Sequence, residues 1–247
     1  MSDFDRRFAR PSAVIDMSVD AGLRAFMLGV YNKLALGLVL SGALAYAFAY
    51  TPLASLFYVM EGSQPVGLTM IGMAIRWAPL VVLLAAGFLM RNPTPQSAAA
   101  IYWTIVSLIG SSLSVWFMIY QLGSVAQVFF ITAAAFGGLS LWGYVTKKDL
   151  SGFGSFLIMG LFGIIIASVV NMFVHSSAIS FVVSILGVLI FAGLTAYDTQ
   201  RLKMTYYQLG GNEAAMGVAT SYGALSLYLD FINLFQFLMS ILGGNRR

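Results

Sequence analysis

Long apolar runs dominate this chain, and short polar stretches separate them. A helix needs about 20 mostly apolar residues to cross the hydrocarbon core of a bilayer. That window picks out seven spans, at 29–50, 68–90, 98–120, 125–146, 153–175, 178–200 and 217–242. The connections are short, so consecutive helices should be antiparallel neighbours in one bundle, with no second domain. The pattern predicts an all-α polytopic membrane bundle of seven helices over 25–247, preceded by a polar tail at 1–24.

Composition supports the same reading. Of 247 residues, 60% are hydrophobic and 9% charged. A soluble domain carries about 25% charged residues, so this chain has too little polar surface to cover itself in water. It has no cysteine and one histidine, His175. Disulfides, thiolate chemistry and a zinc site built on histidine or thiolate are therefore excluded, and no cofactor is expected. The tail carries Arg6 and Arg7, but the first apolar run starts too far behind them for a twin-arginine or secretory signal.

The net charge of +4 is distributed in a way that sets orientation. Arg6, Arg7, Arg10 and Arg24 precede the first span. Arg91, then Lys147 and Lys148, then Arg201 and Lys203 fill the second, fourth and sixth connections. The first, third and fifth connections hold little beyond Glu61 and His175. Lysine and arginine accumulate on the cytoplasmic side, so the N-terminus is expected there, with lipid as the partner and no nucleic acid. Arg76 sits in or just before the second span, and Arg246 and Arg247 would lie outside if the seventh span crosses fully. That span either crosses against the rule or dips in and returns.

Within the spans, small residues recur at packing intervals: Ala133, Gly137 and Gly138; Gly160, Gly163, Ala167 and Ser168; Gly187 and Gly193. Plain helix packing accounts for most of them. Lys33 and Lys203 read as snorkelling side chains, His175 as a loop residue, and Asn171 as an interhelical hydrogen-bond donor.

Two acids stand where charge is expensive. Asp198 lies near the end of the sixth span and Asp230 well inside the seventh. A central Asp costs roughly 2.5–3.5 kcal/mol on insertion scales, and such residues are shielded from lipid. At 100° per residue, Tyr222, Ser226, Asp230, Asn233, Gln236 and Ser240 fall on one face of the seventh span, and Ser180, Ser184, Gly187, Thr195 and Asp198 on one face of the sixth. The seventh helix should therefore be central. If the carboxylates meet about 4 Å apart, they repel by roughly 4 kcal/mol at an effective dielectric of 20. The pair would then share one proton and titrate in two coupled steps. It would also offer hard oxygen ligands to a passing calcium ion. Asp198 could instead be an interfacial acid neutralised by Arg201 on its own helix, and Arg91 could pair with either carboxylate.

The run Ala224–Phe235 (ALSLYLDFINLF) resembles the last-helix signature of the Bax inhibitor family, also called the transmembrane BAX inhibitor motif family. Tyr197-Asp198-Thr199-Gln200 resembles its sixth-helix motif, and Thr146–Ser151 its turn before the fifth helix. The resemblance covers about 24–242. It implies a seven-helix bundle with the last helix in the middle, working as a pH-sensitive calcium leak of the bacterial cytoplasmic membrane. Asp198 and Asp230 match the family's functional aspartates, and Arg91 its latch. Some bacterial relatives instead modulate a membrane protease or a stress response, a role for which the tail and residues 201–216 would be the contact surface. An intramembrane aspartyl protease would carry Gly-x-Gly-Asp at its second acid. Here Leu227, Tyr228 and Leu229 precede Asp230, so no enzyme is expected. No matching half-sequences support an inverted-repeat transporter.

Overall fold

A computed structural model describes residues 21–62, 64–89, 92–209 and 211–244. Most of the predicted tail, residues 1–20, and the candidate latch Arg91 lie outside the described residues. The first helix, α1 (Ala21–Tyr50), begins eight residues before the predicted span and takes in the end of the predicted tail. Leu23, Phe26, Met27 and Val30 are buried along one side of it, a helical repeat that a window of continuous apolarity passes over.

A short helix α2 (Ala54–Phe57) and a hairpin of β1 (Tyr58–Glu61) and β2 (Gln64–Leu68) follow, where the sequence reading placed only a connection. The strands pair antiparallel with an irregularity at Val59/Met60, opposite Pro65, which has no N–H to give the ladder. Tyr58 ties the hairpin inward, its hydroxyl 2.8 Å from that of Ser114.

The remaining helices are α3 (Met70–Leu89), α4 (Pro95–Ser112), α5 (Ser114–Ile119), α6 (Leu122–Val145), α7 (Ser151–Val174), α8 (Ser177–Leu209) and α9 (Glu213–Leu242). Among the described residues, seven helical segments are long and apolar enough to cross a membrane, α4 and α5 together making one. The break between those two follows Ser111 and Ser112, whose hydroxyls bond back to carbonyls four residues earlier. α4 opens with a capping box, Thr94 and Ser97 satisfying each other's backbone, and with Pro95 in the first turn. Asn212 caps α9 by accepting from Ala215 N at 3.1 Å. The sixth span runs nine residues past its predicted end, so most of the expected 201–216 connection is helix; Leu202 and Lys203 are buried there.

α9 is the central helix. It packs against α1, α4, α6 and α8, while α3 lies on α4 and α7 on α8 at the margins. Leu227, Tyr228, Leu234 and Met239 of α9 are essentially without exposure. Its Tyr228 hydroxyl sits 2.7 Å from Ser41 Oγ of α1, and Ser41 donates to Val106 O of α4 at 3.2 Å. The outer faces are apolar: Phe130, Phe156, Ile166 and Phe173 are all well exposed. In water that surface would aggregate; in lipid it is the expected finish.

The two ends of the bundle differ. Arg24, Lys147, Lys148, Arg201 and Lys203 gather at one, the basic end, and the hairpin closes the other. Arg76 lies inside α3 on the hairpin side, close enough to act electrostatically on Tyr58. α9 spans 30 residues, about 45 Å at 1.5 Å per residue. Its far end meets the start of α6, where Gly244 N donates to Ser124 Oγ at 2.8 Å and Gln121 N to Gly244 O at 3.3 Å. The seventh span therefore runs the full depth of the bundle and does not turn back.

Three smaller expectations resolve individually. Asn171 Nδ2 donates to Ser180 Oγ at 2.7 Å, tying α7 to α8 as expected, and His175 caps α7 in a left-handed conformation. Both lysines find protein acceptors. Lys33 Nζ donates to Ser221 Oγ of α9, and the buried Lys203 donates to Tyr144 O of α6, each at 2.7 Å. Tyr144 O is among the last carbonyls of α6, which have no intrahelical partner, so the ammonium meets the negative end of that helix. Of the small residues, Gly160, Gly187 and Gly193 sit against side chains of neighbouring helices. A Cβ at Gly137, Gly138 or Gly163 would meet nothing within 4 Å.

Candidate functional site

Four consecutive residues of α8 show how one helix turn organises the site. Successive side chains are rotated by 100°, so each of the four faces a different neighbour. Tyr197 packs on Gly154 of α7, where any side chain would collide with its ring. Asp198 faces α9. Thr199 Oγ1 lies 2.9 Å from Ser140 Oγ of α6, and Ser140 is in turn bonded to the Tyr31 hydroxyl of α1. Gln200 clamps the turn between α6 and α7: its Oε1 accepts from Leu150 N at 2.8 Å and its Nε2 donates to Lys148 O at 2.7 Å. In the same turn, Asp149 Oδ1 accepts from Ser151 N, and hydrogen bonds from Ser151 hold this carboxyl below the usual carboxylate range. That contribution is present at neutral pH and disappears as pH falls through the lowered value.

The polar stripes of α8 and α9 do meet. Ser240 donates to Ser184 Oγ at 2.7 Å near the hairpin end. Toward the basic end the carboxyls of Asp198 and Asp230 face each other across the α8–α9 contact, near enough to interact electrostatically. Both residues are buried, at 6% and 5% exposure. Asp198 Oδ2 also accepts from Ser226, and Oδ1 pairs with Arg201 Nη2 at 3.2 Å. The same Nη2 donates to Ser226 Oγ at 3.2 Å, and the guanidinium lies over the Tyr197 ring. Asp230 Oδ2 is buried with no hydrogen-bond partner among the described residues. The pair faces protein on all sides, and Arg201, about half exposed, connects it to the basic end.

Other members of the predicted set are placed differently. Asn233 turns back on its own helix, donating to Leu229 O at 2.7 Å, and the Tyr222 hydroxyl makes no hydrogen bond among the described residues. Neither supports the acids. The stripe was drawn by helical angle alone, and a polar side chain at the edge of such an arc can be satisfied by the carbonyl one turn back. Arg201 was weighed only as a neutralising neighbour of Asp198; in the structure that ion pair and the acid pair coexist. Ser140 was missed, although an isolated serine between leucines in an apolar helix is a signal for an interhelical bond. Among the described residues there is no cluster of three metal-ligating side chains. Two carboxylates and a serine hydroxyl are fewer than the six to eight oxygens that calcium takes.

Gln200→Ala should loosen the α6–α7 turn. It removes two hydrogen bonds, worth about 1–3 kcal/mol together, while leaving the acid pair in place. Thermal unfolding of the detergent-solubilised protein checks this; an unchanged midpoint would mean that Gln200 does not hold the turn.

The chain matches the family described as inhibitor of apoptosis-promoting Bax1 over residues 23–247. A protein of Caulobacter vibrioides is 62% identical over the full length of both chains. One of Rickettsia prowazekii is 42% identical over 92% of each. Inner membrane protein YbhL of Escherichia coli is 38% identical over 97% of this chain and 99% of its own. A match of that extent, on a seven-span bundle with the last helix at its centre, makes this chain a multi-pass membrane protein of the Bax inhibitor family.

Proposed function

We propose that the protein is a passive calcium leak of the bacterial inner membrane, gated by a proton shared between Asp198 and Asp230. The observation that carries this reading is the juxtaposition of the two buried acids at the α8–α9 contact, reached from the basic end through Arg201. While one proton is shared, an O–H···O⁻ bond ties α8 to the central helix, the closed state. When it leaves, two carboxylates about 4 Å apart repel by roughly 4 kcal/mol at an effective dielectric of 20. That force acts to separate α8 from α9, and the freed oxygens offer the hard ligands that calcium prefers. Arg201 and Ser226 keep Asp198 oriented, and the family resemblance assigns the latch to Arg91. Acid would therefore close the leak and alkali open it. The chemistry is transport, not hydrolysis.

Two observations support the location. YbhL is named an inner membrane protein. Five of the seven described lysines and arginines lie at one end of the bundle, the end of α1's start, which favours a cytoplasmic N-terminus. The test is calcium flux into liposomes holding the purified protein, followed against pH. Asp230→Asn keeps a hydrogen-bonding group but removes the ionisable one, so its flux should lose its pH dependence. An unchanged profile in the variant would end the gating reading.

A further inference from the structure

On the flank away from α7, α1 and α6 stand apart over the central helix and enclose a groove of about 720 Å³. Phe231 of α9 forms part of its floor, and the bonded pair Tyr31–Ser140 crosses it. Its walls are mostly apolar. The groove opens sideways to the lipid-facing surface, where Leu28 and Leu141 are half or more exposed. Gly137 lines it with no side chain, and a Cβ there would meet nothing within 4 Å. Glycine lowers helix stability by about 1 kcal/mol relative to alanine. This one is not explained by close packing, and it leaves its stretch of the groove wall without a side chain.

The length of the groove and its charge identify an occupant. The α1 wall runs from Arg24 to Leu38, 14 residues or about 21 Å at 1.5 Å per residue. That is one leaflet, half of the roughly 40–45 Å bilayer with its headgroups. Arg24 stands at the mouth, at the basic end, exposed and with no ion pair among the described residues. A phosphate above an acyl chain lying in this trough would meet it. Tyr144, near the end of α6, sets an amphipathic ring at the same end.

We infer that this groove binds one anionic glycerophospholipid, with an acyl chain between α1 and α6 and the phosphate on Arg24. The site is independent of the acid pair and stands whether or not the leak reading does. The full-length protein is reconstituted in equal phosphatidylglycerol and phosphatidylcholine, re-extracted in mild detergent, and the lipid that stays bound is counted by mass spectrometry. The wild type should retain phosphatidylglycerol preferentially. Arg24→Gln should reduce that preference about fivefold, the effect of one basic residue at an anionic surface. Gly137→Phe should reduce retention of both lipids without lowering the melting temperature, and Ala35→Phe, on the opposite wall, should repeat that result if the first variant folds poorly. Equal retention of the two lipids by the wild type, or wild-type retention by both kinds of variant, would overturn the site. So would a lipid-free dimer crosslinked through this face, which would assign the groove to a second copy.

Discussion

Gly143→Val should leave little folded protein. Gly143 is where α6 crosses α8, and a Cβ there would press into the backbone of Ala196, 2.8 Å from Cα and 2.9 Å from the carbonyl carbon, with the oxygen closer still. No side-chain rotation relieves a clash with backbone, so α6 must retreat. Retreat breaks the Ser140–Thr199 bond at 2.9 Å and the Lys203–Tyr144 bond at 2.7 Å, and leaves a buried ammonium without its acceptor. Overpacking alone costs about 1–3 kcal/mol, and each buried polar group left unpaired about 1–3 kcal/mol more. Together these approach the whole stability of an ordinary domain, roughly 5–15 kcal/mol. Gly137→Ala and Gly138→Ala, on the open side of the same helix, should stay within about 1 kcal/mol of the parent. Melting curves in detergent separate the three. A Gly143→Val midpoint within about 3 °C of the parent would mean that α6 and α8 are not held at backbone contact.

Those three glycines mark where sequence reading stopped. All seven spans were legible because the bilayer fixes a helix length and removes the alternatives. The centrality of α9 was legible too, since a stripe from Ser226 to Ser240 on an apolar helix needs protein beside it. Which small residues pack was not legible. Gly137 and Gly138 share a helix with Gly143, and only the position of α8 distinguishes them. The same limit governs charge. Lys203 reads as an interfacial lysine until the end of α6 is placed beside it, and Gln200 is anonymous until the α6–α7 turn folds back onto α8. The hairpin was hidden because its strands are only four and five residues long and carry no clean alternation. At the site, the two acids could be found by their cost in lipid, whereas Arg201's double bond to Asp198 and Ser226 required the rotation of both helices to be known.

Whether the acids form a unit is decided by coupling. A double-mutant cycle of Asp198→Ala and Asp230→Ala, read by denaturant unfolding at neutral pH, should return an interaction of about 1.5–3 kcal/mol, the range for a hydrogen bond to a charged group. The single variants should be unequal. Asp198 holds Ser226 and Arg201 as well as Asp230, so its loss strips three contacts and leaves Asp230 buried with none. Asp230→Ala removes a carboxyl whose Oδ2 is already unpartnered, and Asp198 keeps its serine and its arginine. The larger penalty therefore belongs to Asp198→Ala. The pH dependence tests the proposed gate, in which the mutual bond exists only while one proton remains on the pair. As alkali takes that proton, the coupling should fall to zero and change sign, because two carboxylates then face each other with one half-exposed guanidinium between them and solvent. Coupling that stayed level from acid to alkaline pH would mean that the proton is not shared, and α8 would then be held to α9 by packing and by the bonds of Ser226 and Ser240.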